Sequence, residues 1–329
     1  MQMKFVSLFL LSCICSTGCT AADPTRTGPS DYFAVGSSYQ QRAQYLPAIV
    51  NFQQAMRSDK TRKEALQRAE VCAREFQSMK SWPDTDRITV NTIARELNLI
   101  EQDWNKHDIQ AEMAHYDDNY MDNDGFSKTN MMESIRQIWK TCADSRSQST
   151  IAGLAVQGDC AVVQSVDKVG GYTEIMPKMG TGKLEYVNHE LLFLRRVDNT
   201  WKIIGRAVES TDTTVTYGKS RSVTSELECP GEVRQDGTFS ATSKQTLPAG
   251  TLGVGSITSR ILEYPLPAVK DVWRALNKDG TMQRELSAPS EYKNFELITT
   301  VGLENATRTL LTGLQFRARR INVIPANPI

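Results

Sequence analysis

A chain of 329 residues is long enough for two or three domains and for a sizeable core. Lys and Arg together number 38, as do Asp and Glu, so no global field draws the protein to nucleic acid or to an acidic surface. Nucleic-acid binding would need a local patch; the compact basic run Arg317-Ala318-Arg319-Arg320 reads as a solvated helix face, and no nucleic-acid partner is expected.

Residues 1–18 read as an export signal, with Lys4 ahead of an almost continuously apolar run from Phe5 to Cys15 that is too short to span a bilayer. The sequence Ser16-Thr17-Gly18-Cys19 resembles a bacterial lipobox, which implies cleavage before Cys19, lipidation of that residue and a membrane anchor. Ser16 stands where leucine is usual, and ordinary cleavage after Thr20-Ala21-Ala22 is the competing reading. Residues 19–30, with Pro24, Gly28 and Pro29, have the composition of a flexible tether. Thr20 follows the cysteine where Asp would retain such a protein at the inner membrane, so the anchor implies the outer membrane, facing the periplasm. The alternative is a secreted or soluble periplasmic protein.

Residues 31–80 read as a helical module. Two patterns meet near Tyr45-Leu46-Pro47, with Pro47 in a first turn that tolerates it, and Ala65, Ala69, Cys72, Phe76 and Met79 stripe a third helix over 62–80. Gly36, Tyr39, Tyr45, Ala48, Phe52 and Ala55 match the spacing of one tetratricopeptide repeat, in which small residues allow close helix contact and aromatics fill between them. Lys60 replaces the proline usual at the repeat's end, and an ordinary helical hairpin is the other reading. Such a unit buries little alone and is expected to dock on a neighbouring domain or on a protein partner.

Ser81-Trp82-Pro83-Asp84 marks a boundary. Val90, Ile93, Leu97, Ile100 and Trp104 then recur at three- and four-residue steps, predicting a long amphipathic helix. Ile109, Met113 and Tyr116 predict a second, shorter helix. After the acidic turn Asp117 to Gly125, Asn130 and Glu133 have capping-box spacing and predict the start of a third helix carrying Met131, Ile135, Ile138 and Trp139. Ile151–Val156, Cys160–Val169, Leu184–Val197 and Trp201–Glu209 are rich in β-branched and aromatic residues and predict strands, the last two joined by a hairpin turn at Asp198-Asn199-Thr200.

The series Trp104, Asp108, Met113, Tyr116, Asp118, with the ending Phe193-Leu194-Arg195 and Asp198-Asn199-Thr200-Trp201-Lys202-Ile203-Ile204, resembles the nuclear transport factor 2-like superfamily, in particular its SnoaL and ketosteroid isomerase relatives. The resemblance covers residues 88–215 and implies a cone: a bent antiparallel sheet wrapped on helices around a pocket. It also implies a catalytic aspartate at Asp124, whereas the position of the family's oxyanion-binding tyrosine falls on Ile100, which has no donor. Trp104, Tyr116 and Trp139 are the expected pocket lining, joined by His189 if that strand position faces inward rather than to solvent.

Residues 230–329 read as a small unit of strands (Ser256–Tyr264 and Tyr292–Gly302) and helices (Pro265–Asn277 and Asn305–Val323). The whole is thus expected to be α+β: a helical hairpin module, a central cone-shaped curved sheet packed on helices, and a small C-terminal α+β unit.

The remaining motifs exclude more than they suggest. Cys72, Cys142, Cys160 and Cys229 lack metal-ligand spacing; Cys72 reads as a buried thiol, and Cys142 with Cys160 is the pairing to consider. Asp122-Asn123-Asp124-Gly125 echoes a calcium loop, yet Tyr120 and Met131 occupy its first and last ligand positions, so a solvated turn is expected, in which Asp124→Asn would leave stability unchanged. Gly180-Thr181-Gly182-Lys183 lacks the first glycine and the final Ser/Thr of a phosphate loop. His107, His115 and His189 are too scattered for zinc, and no metal or cofactor is expected. Two function classes remain: a cell-envelope binding or scaffold protein without chemistry, or a SnoaL-like enzyme of isomerase, cyclase or hydratase type acting on a small apolar molecule with Asp124 as base.

Overall fold

The computed structural model describes residues 28–78 and 86–326; the signal, Cys19 and the boundary at Ser81-Trp82-Pro83-Asp84 lie outside the described residues. Among the described residues six α-helices come first: α1 (Pro29–Gln41), α2 (Tyr45–Ala55), α3 (Asp59–Ser78), α4 (Arg87–Lys106), α5 (Ile109–Ala114) and α6 (Lys128–Thr141). Twelve strands follow: β1 (Arg146–Gln157), β2 (Cys160–Thr173), β3 (Gly182–Val197), β4 (Thr200–Gly218), β5 (Ser225–Glu228), β6 (Glu232–Arg234), β7 (Thr238–Gln245), β8 (Thr251–Ile261), β9 (Arg274–Ala275), β10 (Thr281–Ser287), β11 (Phe295–Asn305) and β12 (Leu311–Ile324). No helix among the described residues is long and apolar enough to cross a membrane.

Local chemistry sets the helix ends. Asp86 caps α4 by accepting the Thr89 N–H at 2.9 Å, and His107, at φ 58°, ends that helix in a left-handed turn. The cap of α6 is Ser127, which exchanges hydrogen bonds with Asn130, so this helix begins a turn earlier than the Asn130–Glu133 spacing suggested. Asp198 and Asn199 both have positive φ, 48° and 62°, the tight two-residue turn that the β3–β4 hairpin requires.

One antiparallel sheet, ordered β1-β2-β3-β4-β12-β11-β8-β9, runs through the molecule, with β6 added parallel to β12; β5, β7 and β10 form a second, smaller sheet. Two register shifts between β3 and β4, at His189/Glu190 and Phe193/Leu194, bend the large sheet as bulges do. Alternation then sorts the strand residues. Ala161, Val163, Leu192, Leu194, Trp201 and Ile203 pack with α4, α5 and α6, while Val162, Leu191, Phe193 and Ile204 on the other face pack with α1–α3. The helical module therefore docks on the cone's sheet. Gly36 lets α1 and α2 meet closely, since a Cβ there would stand 2.9 Å from the Phe52 ring.

Beyond Thr141 the helical expectations are corrected. Residues 265–277 contain no helix, because Pro265 and Pro267 interrupt any ladder, and Asn305–Val323 is mostly strand β12. The basic run is accordingly no solvated helix face. Arg317 and Arg319 both clamp Asp212, at 2.8 and 2.6 Å, and Arg320 is buried. β4 continues past position 215 to Gly218 and pairs there with β12, so the cone's sheet and the C-terminal sheet are continuous.

The thiols of Cys72, Cys142, Cys160 and Cys229 are free. Cys142 and Cys160 sit against different apolar clusters, so the pair considered in the sequence is not joined.

Candidate functional site

The segment 116–123 lies beside β4 as an added edge. Asp117 N–H donates to the Ile203 carbonyl, Met121 N–H to Ile204 and Asn123 N–H to Arg206. It brings Tyr116, Tyr120 and Asp122 next to Arg206, whose cross-strand partner Leu192 belongs to the apolar cluster under α4–α6. On β3 the same alternation that turns Leu192 and Leu194 to that cluster also turns Asn188 and Glu190 inward. Asp167 is on the neighbouring strand β2, where Ser165 Oγ donates to its Oδ2 at 3.3 Å.

The result is a polar knot in an otherwise apolar interior. Arg206 Nη1 lies 3.3 Å from Glu190 Oε2 and its Nη2 lies 3.6 Å from Asp122 Oδ2, while Asn188 Nδ2 donates to Glu190 Oε2 at 2.7 Å. Glu190, Asp122, Asn188 and Tyr120 are buried, whereas the Arg206 side chain is 25% exposed and links the knot to solvent. Tyr120 Oη, Asn188 Oδ1 and Arg206 Nε have no hydrogen-bond partner among the described residues. Buried polar atoms without partners are uncommon, and three of them in the one network around Arg206 mark a place suited to a polar ligand.

The electrostatics follow from burial. Desolvation pushes the Glu190 carboxyl up; Arg206 opposes the shift and the nearby Asp167 adds to it. Desolvation likewise raises Asp122, reinforced by Asp124 and opposed by Arg206. Burial works against the charge of Arg206, but the pull of Tyr120, Glu190 and Asp122 outweighs it and keeps the guanidinium charged. At the edge of the knot Glu112 on α5 is buried and pushed up to about 8, mainly by desolvation and then by Asp103; the Tyr116 hydroxyl reaches it at 3.5 Å. The raised Glu190 carboxyl beside the Arg206 guanidinium, with the unpartnered Tyr120 hydroxyl in the same network, can bind a polar group and exchange a proton with it.

Three of the four expected lining residues do come together. Trp104 and Trp139 meet edge to face at 5.5 Å, His107 stacks on Trp139 at 4.8 Å, and Tyr116 meets Tyr120 at 5.2 Å. Ile93, Met113, Met131 and Ile135 fill the space between them, and Ile100 packs on the same cluster. His189 is the exception. It is exposed, because its neighbours Asn188 and Glu190 take the inward positions of the alternation.

Asp124 does not point a free carboxylate at the knot. Both its oxygens accept from Arg320, at 2.5 and 2.8 Å, and Asn294 Nδ2 donates to Oδ1 at 3.0 Å. The acidic turn is thus no solvated loop: the side chains of Asp122 and Asp124 are buried, and strands far away in sequence supply Arg206 and Arg320 to neutralise them. The sequence reading missed Arg206, Glu190, Asn188, Asp122 and Tyr120. The legible signal was on β3, where Asn188 and Glu190 hold the inward positions that Leu192 and Leu194 continue.

No family model and no curated protein matches this chain. Solved structures similar to part of it include a ketosteroid isomerase-like protein from Erwinia carotovora atroseptica (17% identity, 37% of this chain and 96% of that one, TM-score 0.31). A nuclear transport factor 2-like protein from Cytophaga hutchinsonii is also similar (11% identity, 38% and 98%, TM-score 0.29). With Bd1075 of Bdellovibrio bacteriovorus (15% identity, TM-score 0.30) the likeness spans 35% of this chain and 38% of that one.

Proposed function

We propose that this is a cell-envelope binding protein whose cone, a nuclear transport factor 2-like domain over 88–215, holds a small molecule by a polar group at Arg206 and performs no chemistry at Asp124. One observation carries the reading: the buried network of Arg206 with Glu190 and Asp122 holds three polar atoms, Tyr120 Oη, Asn188 Oδ1 and Arg206 Nε, that have no partner among the described residues. Arg206, 25% exposed, joins the buried network to solvent, which suits a small molecule that presents one polar group to it. The tetratricopeptide-like spacing in α1–α2 supports a protein partner at the helical module, and the lipobox-like Ser16-Thr17-Gly18-Cys19 supports a lipid anchor at the outer membrane. Mass spectrometry of the mature protein tests the anchor: the expected amino terminus is lipidated Cys19, and an unmodified Asp23 would sink it.

The binding site is tested by a thermal-shift screen of small hydroxy, keto and carboxylic compounds on the full chain. Hits should disappear in Arg206→Met and Glu190→Gln and persist in His189→Ala; hits indifferent to both inward variants would overturn the reading. A second reading, an enzyme, is favoured by the raised Glu190 carboxyl. In that case Glu190 carries the proton, because Asp124 is committed to Arg320, and Glu190→Gln keeps binding but loses turnover.

A further inference from the structure

A second site lies outside the cone, where the helical module meets the C-terminal strands. Gln67, Val71 and Arg74 are four and three residues apart on α3 and share one face; opposite them stand Arg234 at the end of β6, Ile324 at the end of β12 and Pro325-Ala326 beyond it. Between these walls is a cleft of about 200 Å³. That is below the roughly 300–1,000 Å³ of pockets that enclose drug-sized ligands, so the cleft suits a single compact group.

The two charged residues that line it are both basic. Neither Arg74 nor Arg234 makes a side-chain hydrogen bond or ion pair among the described residues, and both are exposed. The natural partner for Arg74 would be Glu70, one turn earlier, but the Tyr292 hydroxyl donates to that carboxylate. Burial also pushes Glu70 up to about 7, against the pull of Arg74 and Arg320 and with help from Asp124 and Glu232, so it is only partly ionised near neutral pH. Asp124 is tied to Arg320, and Glu232, two residues before Arg234, is not among the residues that line the cleft. Arg74 on one wall and Arg234 on the other, with Gln67 on the same α3 face as Arg74, offer donors from more than one direction. A carboxylate is served by one such fork, whereas a tetrahedral dianion takes donors on several sides. Val71, Ile324 and Pro325 supply an apolar flank for whatever carries the group.

We propose that the cleft between Arg74 and Arg234 binds a phosphate group, carried by a small soluble ester or by a lipid head. This goes beyond the proposed cone function and does not depend on it. The test uses the full chain carrying Cys19→Ser, which removes the proposed lipidation site, and isothermal titration with inorganic phosphate and with glycerol 3-phosphate, followed by flotation with phosphatidylglycerol and phosphatidylcholine vesicles. Phosphate binding should weaken at least tenfold in Arg74→Gln/Arg234→Gln and be unchanged in Arg274→Gln, a control at an exposed site. Because all three side chains are exposed, circular dichroism should show the same fold throughout. Saturable binding of the soluble phosphates assigns a soluble ester; binding only to phosphatidylglycerol vesicles, lost in the double variant, assigns a lipid head. Equal binding by the double variant, an equal response to sodium chloride at matched ionic strength, or no binding of any probe would overturn the proposal.

Discussion

Asp124 and Arg320, 196 residues apart in the chain, meet through two hydrogen bonds of 2.5 and 2.8 Å with side chains only 7% and 2% exposed. This pair fastens the segment beside β4 to strand β12. It also removes Asp124 from the role that the family resemblance implied. Removing one partner of a buried pair leaves the other charge desolvated and unpaired, at a typical cost of about 3–5 kcal/mol. Asp124→Asn is therefore expected to be strongly destabilising, contrary to the solvated-turn expectation, and the double variant Asp124→Leu/Arg320→Met should recover much of the loss. Denaturant unfolding of the three chains checks this; an unchanged midpoint in Asp124→Asn would show that the brace contributes nothing.

Glu112 predicts a pH dependence. Its folded pKa is raised to about 8 from 4.5, so between those values the folded chain holds a proton that the unfolded chain has released. Its contribution is fully present below 4.5 and is lost as pH rises toward 8, with a slope of about 1.4 kcal/mol per pH unit for one titrating group. Stability measured from pH 5 to 8 should decline more steeply in the wild type than in Glu112→Gln. The variant should be the more stable chain at pH 8.

Trp104 tests the cone core. It is half-buried and packs edge to face on Trp139, so truncation removes both apolar contact and an aromatic pair. Complete truncation of a buried tryptophan costs about 3–5 kcal/mol, and Trp104→Ala should fall toward the lower end. A melting temperature equal to that of the wild type would mean that α4 does not rely on this contact.

Gly36 tests the docking of the helical module. A Cβ would stand 2.9 Å from the Phe52 ring and 3.3 Å from the Ala48 carbonyl, and Phe52 is itself fully buried between the helices and the sheet. Overpacking of this kind costs about 1–3 kcal/mol. Gly36→Val should make the region from α1 to α2 the first to exchange its amides, while β3 and β4 keep their protection.

What the sequence determined by itself was local. The stripe of Ile93, Leu97, Ile100 and Trp104, the hairpin turn at Asp198-Asn199-Thr200, and the β-branched runs of β1 to β4 each follow from a period of 3.6 or 2 and from residues within a few positions. Those elements and the α+β class were legible. The fate of residues 311–324 was not, because Leu311, Leu314, Ala318 and Ile321 fit a helical stripe; pairing with β4, β11 and β6 makes the segment a strand. The site was decided the same way. Whether Asp122 and Asp124 lie in water or in the interior depends on Arg206 and Arg320, which reach them only after the sheet has closed across β3, β4 and β12. A carboxylate's surroundings are set by charges brought near in space, and no local spacing in the chain encodes them.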